Sequence, residues 1–353
     1  MNEKFLPGLE EELDRFRARY NQLQQQISDS RNQLDWFTQN EVVLEHDSMC
    51  LRRFAGANGH APLQSTPPLL IVYSHVNQPC IIDMQQNHSL VQCLMKCGHP
   101  VYLLDWGKVS EADNENDLSV YVDKYLDIAV TYLIEQTGHN GINLLGICQG
   151  GTFALCYGCL HPQKVNRLAT LVTPIDFHRG DGLLTHWVRH IDFSLLDHTP
   201  QNIPGALITL LFQLMRPFED LSRQVRLIEQ ATESRNLDFV MKMDQWVYNC
   251  PDQPGRAFAQ FMQRFYRDNA LAEGKLVIAD RSIELSRLTM PLLNVYARHD
   301  HLVPPASSRA LRQFVSSDNY QELEFCGGHI GLLVSEKAQQ TTLPMVADWL
   351  SGL

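Results

Sequence analysis

Four short, charge-poor runs rich in β-forming residues, separated by three stretches with helical periodicity, constrain this chain more than any other feature. They are LLIVY (69–73), VYLLDW (101–106), INLLGI (142–147) and LATLVTP (168–174). Strands with so little charge need cover on both faces, and strands separated by helices run parallel. Met84–Lys96 and Gln149–Leu160 read as two of the covering helices. Asp117–Glu135 reads as a third, with Asp117 as its cap and Leu118, Val122, Leu126, Ala129 and Leu133 on its apolar face. Ahead of this pattern, Val42–Phe54 reads as a strand or a pair of strands, and Ala55–Pro68 as a loop rich in Gly, Pro and small polar residues.

The alternation stops after residue 176. From Phe177 to Arg287 the chain has helical stretches, aromatics and prolines but little that reads as strand. It then resumes with PLLNVYA (291–297), a helix near Ala306–Phe314, ELEFC (322–326) and a last helix over Glu336–Leu350. Four regions are therefore expected: an N-terminal helical arm (1–40), a first core segment (41–176), an inserted cap (177–287) and a second core segment (288–353). In the arm, Phe5, Leu9, Leu13, Phe16, Tyr20, Leu23 and Ile27 follow one another at helical steps. Such a stripe packs on its own domain or serves a partner or a polymer surface.

Residues 146–151, Gly-Ile-Cys-Gln-Gly-Gly, lie between a strand and a helix. This is the nucleophile-elbow pattern, with Cys148 where a serine is more common. A nucleophile on so sharp a turn needs small residues two places before and after it, and Gly146 and Gly150 stand there. The turn puts sulfur at a helix N-terminus, where the dipole favours thiolate, and turns the Gln149 N–H toward an acyl oxygen. The elbow within this alternation predicts an α/β-hydrolase fold: a mostly parallel sheet with helices on both faces and an inserted, mainly helical cap. The alternative for Cys148 is a buried structural thiol.

In this fold the acid and then the base follow the nucleophile along the chain. Asp300 stands in a polar turn directly after the strand 291–297, and His329 in Gly-Gly-His-Ile-Gly after the last strand. His329 is expected to take the Cys148 proton and Asp300 to orient the imidazole. Asp176 also follows a strand and is a rival acid; His301, beside Asp300, either supports the site or is a plain loop histidine. The second oxyanion donor is expected from the loop Ser74–Pro79, at the Val76 or Asn77 N–H. His75 in that loop reads as a loop residue rather than a catalyst.

The chain has 353 residues and a formal net charge of −11, which makes nucleic acid an unfavourable partner. No run approaches the roughly eighteen apolar residues of a membrane span. The start, MNEKFLPGLEEELDRF, lacks the regions of a signal peptide, so the nine cysteines are expected as reduced cytoplasmic thiols. Cys156-x-x-Cys159 falls inside a helix rather than at its start, which argues against a redox pair. Cys93 and Cys97, or His186 and His190, have ligand-like spacing but nothing that completes a site, so no metal is expected.

Taken together, LLIVYSHVNQP (69–79), VYLLDWG (101–107), NLLGICQGG (143–151), LVTPIDF (171–177), NIPG (202–205), PDQPG (251–255), DHLVPP (300–305) and GGHIG (327–331) resemble polyhydroxyalkanoate synthases. The match is nearest the short catalytic subunit of the two-subunit (class III) enzymes and covers nearly the whole chain after about residue 40. The resemblance implies a triad of Cys148, Asp300 and His329 that polymerises (R)-3-hydroxyacyl-CoA through a cysteinyl acyl intermediate and releases CoA. Short acyl groups such as 3-hydroxybutyryl are the expected substrates. It leaves open whether Asp300 acts through His329 or on the substrate hydroxyl. It also implies no cofactor, a homodimer, a second non-catalytic subunit (PhaE-like or PhaR-like), and residence at the surface of polyester granules. The loop His75–Cys80 departs from the family's pattern. Two other readings share these residues: an acyl-CoA thioesterase or polyester hydrolase, and an idle granule-bound scaffold.

Overall fold

The computed structural model describes residues 14–15, 17–18, 34–55, 66–180, 182–193, 201–215 and 237–352. The apolar positions of the N-terminal arm, most of the 55–68 loop and parts of the cap lie outside them. Eight strands form one sheet: β1 (Asn40–His46), β2 (Met49–Phe54), β3 (Leu69–Val72), β4 (Val101–Asp105), β5 (Ile142–Ile147), β6 (Val165–Leu171), β7 (Leu292–Ala297) and β8 (Tyr320–Phe325). Their order is β1-β2-β4-β3-β5-β6-β7-β8. The hairpin β1–β2 pairs antiparallel within itself and with β4; every other neighbouring pair is parallel.

The period of two along each strand divides the core between two faces. Leu70, Val72, Leu104, Leu144 and Leu168 pack on one side, against the helices α2 (Leu126–Thr137) and α3 (Gln149–Leu160). Leu69, Ile71, Leu103, Leu145 and Ile147 pack on the other, against α1 (Leu90–Lys96) and α8 (Thr342–Ser351). β3, β5 and β7 are buried at every position, as strands covered on both faces must be.

Three helices differ from the sequence reading. Met84–Lys96 is helical only from Leu90. Asn87 takes a left-handed turn (φ 66°) between two short paired strands, and Ser89 then caps α1 by accepting from the Gln92 N–H at 2.9 Å. The segment after Asp117 opens with a wider π-type stretch over Val120–Tyr125 before α2, although Asp117 does cap it, accepting from the Ser119 N–H at 2.9 Å. Glu336–Leu350 is split at Thr341 into Glu336–Gln340 and α8. Pro344, three residues into α8, has no N–H to give and its ring would clash with the carbonyl four residues back, so one continuous helix is impossible.

Between β6 and β7 the described residues are mostly helical: α4 (Leu183–Val188), α5 (Gly205–Met215), α6 (Leu237–Tyr248) and α7 (Gly255–Phe261), the last continuing as a π-type stretch to Arg267. One bridge, Ile203 to Gln253, ties the approaches to α5 and α7 together. These elements stand over the carboxyl ends of the parallel strands, where open α/β sheets place their ligands.

Candidate active site

β5 ends at Ile147, and the chain turns at once into α3. Cys148 makes that turn with φ 54° and ψ −126°, a conformation a residue with a side chain holds only when its surroundings impose it. The surroundings do so from three directions. The Cys148 N–H donates to the Leu171 carbonyl at 2.9 Å, at the end of β6. Its own carbonyl accepts from Gly151 and Thr152. A Cβ at Gly146 would collide with Gly151 Cα, and one at Gly150 with the Val72 carbonyl, so the two glycines are a steric demand of the turn.

Asp300 follows β7 and is buried. Its Oδ1 accepts from the backbone N–H groups of Leu302 (2.9 Å) and Val303 (2.8 Å), which fixes the carboxylate. The His329 Nδ1–H donates to its Oδ2 at 2.7 Å. The Cys148 side chain lies beside the same imidazole and acts on it electrostatically. Burial opposes a charge on this imidazole, but the Asp300 carboxylate and a Cys148 thiolate favour it more, and its pKa is raised to about 10. The imidazole is therefore drawn toward its protonated form, beside a carboxylate whose other oxygen is already held by two backbone N–H groups.

The other sequence candidates fall in different places. Gln149 is the first residue of α3, so its N–H has no acceptor within the helix, and it lines the cavity above Cys148. Val76 lines the same cavity. Asn77 is buried on the far side of the loop, its amide donating to the Trp246 carbonyl (3.0 Å) and accepting from the Gln78 N–H (2.7 Å). His301 is exposed and lines neither cavity beside this loop. Asp176 is bound at the base of the cap: Asn269 donates to it at 2.9 Å and Arg179 lies 3.3 Å away. His75 is buried, stacked on Trp106 with ring centroids 4.6 Å apart. Burial lowers its pKa to about 3, so it stays neutral and carries no proton at work near pH 7.

Cys156 and Cys159 are buried in α3; burial pushes Cys156 well up and Cys159 up to about 12. His186 and His190 are exposed. Among the described residues no group of three or more His, Cys, Asp or Glu side chains is placed to hold a metal ion. Nor, among them, is any helix long and apolar enough to cross a membrane.

The cavity over Cys148 has a volume of about 300 Å³ and is almost wholly apolar. Val76, Cys148 and Gln149 form its floor, and Trp187, Val188, Ile208, Phe258 and Tyr266 are among the cap residues that wall it. Across the loop 74–79 lies a second, more polar cavity of about 570 Å³, reached by Arg52, Asp105, Lys108 and Asp252. Sequence reasoning missed the residues that stitch this loop to the cap. Gln253 is the chief of them, and nothing in its local pattern marks it, because its partner is 178 positions away.

Residues 67–336 match the model of the alpha/beta hydrolase fold family. The chain is 41% identical over 312 residues to the poly(3-hydroxyalkanoate) polymerase subunit PhaC of Allochromatium vinosum, covering 88% of each chain. It belongs to the PhaC family. The PhaC subunit of Synechocystis is 39% identical, over 89% of this chain and 85% of its own. Among solved structures, the monoacylglycerol lipase of Paleococcus ferrophilus superposes with a TM-score of 0.53 at 17% identity, covering 81% of this chain and 96% of that one, a likeness of fold alone. The PhaC relatives match over most of their length, so the elbow and the cap region lie within the shared part.

Proposed function

We propose that this chain is the catalytic subunit of a polyhydroxyalkanoate synthase that works through a covalent Cys148 acyl thioester. The observation that carries the reading is the Asp300–His329 hydrogen bond with Cys148 beside the imidazole, set beneath an apolar cavity. The Cys148 thiolate attacks the thioester carbonyl of a 3-hydroxyacyl-CoA. The oxygen takes the charge, with the N–H groups of Gln149 and Val76 as its donors. The carbon–sulfur bond to CoA then breaks, and His329 gives its proton to the leaving thiolate. One thioester replaces another, so little energy separates the two states. In the second half, the 3-hydroxyl of another acyl unit attacks the acyl-enzyme. His329, now neutral, takes the hydroxyl proton, an ester forms and the thiolate returns. Asp300 acts on His329 in both halves. Its oxygens are already committed to His329 and to two backbone N–H groups, which supports this role over direct work on the hydroxyl.

A cavity of about 300 Å³ lies at the small end of ligand pockets, which favours short acyl groups such as 3-hydroxybutyryl. Its hydrocarbon walls keep water from the acyl-enzyme, and water is the competitor that would turn a synthase into a thioesterase. The reaction asks for no cofactor. Homodimerisation, a second non-catalytic subunit and a seat on the polyester granule complete the proposal. The test is incubation with 3-hydroxybutyryl-CoA, with and without a partner subunit of the two-subunit enzymes. CoA release together with high-mass polyester, both absent in Cys148→Ala, is the expected result. CoA release with only free hydroxyacid would contradict it and mean a thioesterase.

A further inference from the structure

The loop that carries Val76 is held through the backbone N–H and the carbonyl of one residue, His75. The His75 N–H donates to the Gln149 side-chain Oε1 at 3.0 Å, from the elbow side. The His75 carbonyl accepts from Gln253 Nε2 at 2.8 Å, from the cap side. Gln253 is buried, and its amide donates also to the Pro251 carbonyl at 2.9 Å. Its backbone exchanges two hydrogen bonds of 2.9 Å with Ile203, at the approach to α5. One residue thus ties the loop beside Cys148 to two separate segments of the cap. A neighbouring set repeats the link: the Trp246 indole donates to the Gln78 carbonyl (2.7 Å), and Asn77 and Gln78 donate to the carbonyls of Trp246 and Asn249 (3.0 Å each).

We propose that Gln253 is a positioning residue that couples the placement of the cap to the oxyanion loop, holding the peptide at His75 so that Val76 faces the acyl oxygen. The physical case is directional. The His75 ring is immobilised by Trp106 and Tyr121, so the only remaining freedom of this segment is rotation of its peptides, and both polar ends of the His75 unit are claimed by glutamine amides. Loss of the Gln253 donor leaves a buried carbonyl without its partner, and the loop must turn to find another. A donor displaced by about an ångström stabilises a developing oxyanion poorly, whereas it leaves the nucleophile untouched. When the cap shifts, the Ile203 bridge and Gln253 shift with it, so the oxyanion donor is complete only when the cap is seated.

This inference rests on the proposed role of Cys148 and of the Val76 N–H, and the test separates the two. Full-length chain and its Gln253→Leu and Gln253→Asn variants are given two acyl donors, 3-hydroxybutyryl-CoA and p-nitrophenyl acetate, and release of CoA or nitrophenol is followed. In parallel, Cys148 is alkylated with iodoacetamide, a reaction that develops no oxyanion. Gln253→Leu is expected to lower kcat on both donors roughly 10- to 100-fold, a part of what outright loss of an oxyanion donor costs, with KM changed little and alkylation within about twofold. Gln253→Asn keeps a donor on a shorter arm and is expected to fall between. Unchanged acyl transfer in Gln253→Leu would overturn the proposal, and so would alkylation that falls in step with acyl transfer, since that marks general damage to the elbow. A parent chain that accepts the ester but not the CoA thioester would refute the synthase reading while leaving Gln253 measured on the ester. A parent acylated by neither donor would overturn both.

Discussion

Beneath Cys148 the carboxyl edge of the sheet supplies charge and hydrogen bonds; above it the cap supplies hydrocarbon. On the lower side Asp300 holds three donors, His329 among them, with Cys148 beside the imidazole, and each of the three residues follows the end of a strand. On the upper side the roughly 300 Å³ cavity is walled by side chains such as Trp187, Val188, Ile208 and Phe258, with Gln253 and Tyr266 as rare polar members. The two regions divide the work. An ion pair needs oriented partners, which strand ends provide to within tenths of an ångström. Acyl selection and the exclusion of water need only shape and apolar surface, which packed helices provide with looser tolerance.

The largest effect is expected from breaking the lower side. His329→Ala should lower the rate of CoA release by up to about 10⁶-fold, measured in single turnover against the parent chain. A loss of tenfold or less would mean that another group deprotonates Cys148. Asp300→Asn should cost about 10²- to 10⁴-fold and should also move a titration. The sign is fixed by the cause. The Asp300 carboxylate helps raise the His329 pKa to about 10, so an uncharged side chain there lowers it and disfavours imidazolium beside thiolate. The His329 titration, followed by NMR, should therefore move to lower pH. An unmoved midpoint would show that the two residues are not coupled.

Changes above the sulfur should alter selectivity more than chemistry. Val188→Phe narrows the cavity, and a methylene in such a pocket is worth about 1–3 kcal/mol. The preference for 3-hydroxybutyryl-CoA over its five-carbon homologue should rise roughly tenfold, with alkylation of Cys148 unchanged. An equal loss on both substrates would mean that the cavity does not hold the acyl chain. The smallest effect is reserved for His301→Ala. His301 is exposed, so CoA release should stay within about twofold of the parent; a larger fall would extend the charged region past its present boundary.

The same division governs what could be read from the sequence. Cys148 and its glycines were legible because the motif sets small residues where a Cβ would strike Gly151 Cα, at Gly146, and the Val72 carbonyl at the end of β3, at Gly150. The meeting of Asp300 with His329 was legible because such a fold brings together the turns after these two strands, in fixed chain order. The inner strands β3, β5 and β7 were legible because each is buried at every position and carries no charge. Helix ends were read less well: Asn87 and Ser89 shortened one helix and Pro344 split another, each through local chemistry that a pattern of apolar positions passes over. Gln253 lies in the PDQPG stretch that shares in the family resemblance, but its role was not legible. A buried glutamine has no periodic signature, and its meaning depends on a carbonyl 178 residues away. Asp176 shows the reverse case: a plausible acid by position, it is engaged by Asn269 and Arg179 at the root of the cap.

The account stands or falls on the acyl thioester at Cys148. The most direct measurement is to mix the full-length chain with 3-hydroxybutyryl-CoA, quench in acid within a turnover, digest and weigh the peptide that contains residue 148. The expected result is a 3-hydroxyacyl or oligoester adduct on Cys148 that hydroxylamine removes and that Cys148→Ala lacks. CoA released at the normal rate with that peptide unmodified, or with the adduct on another residue, would contradict the account.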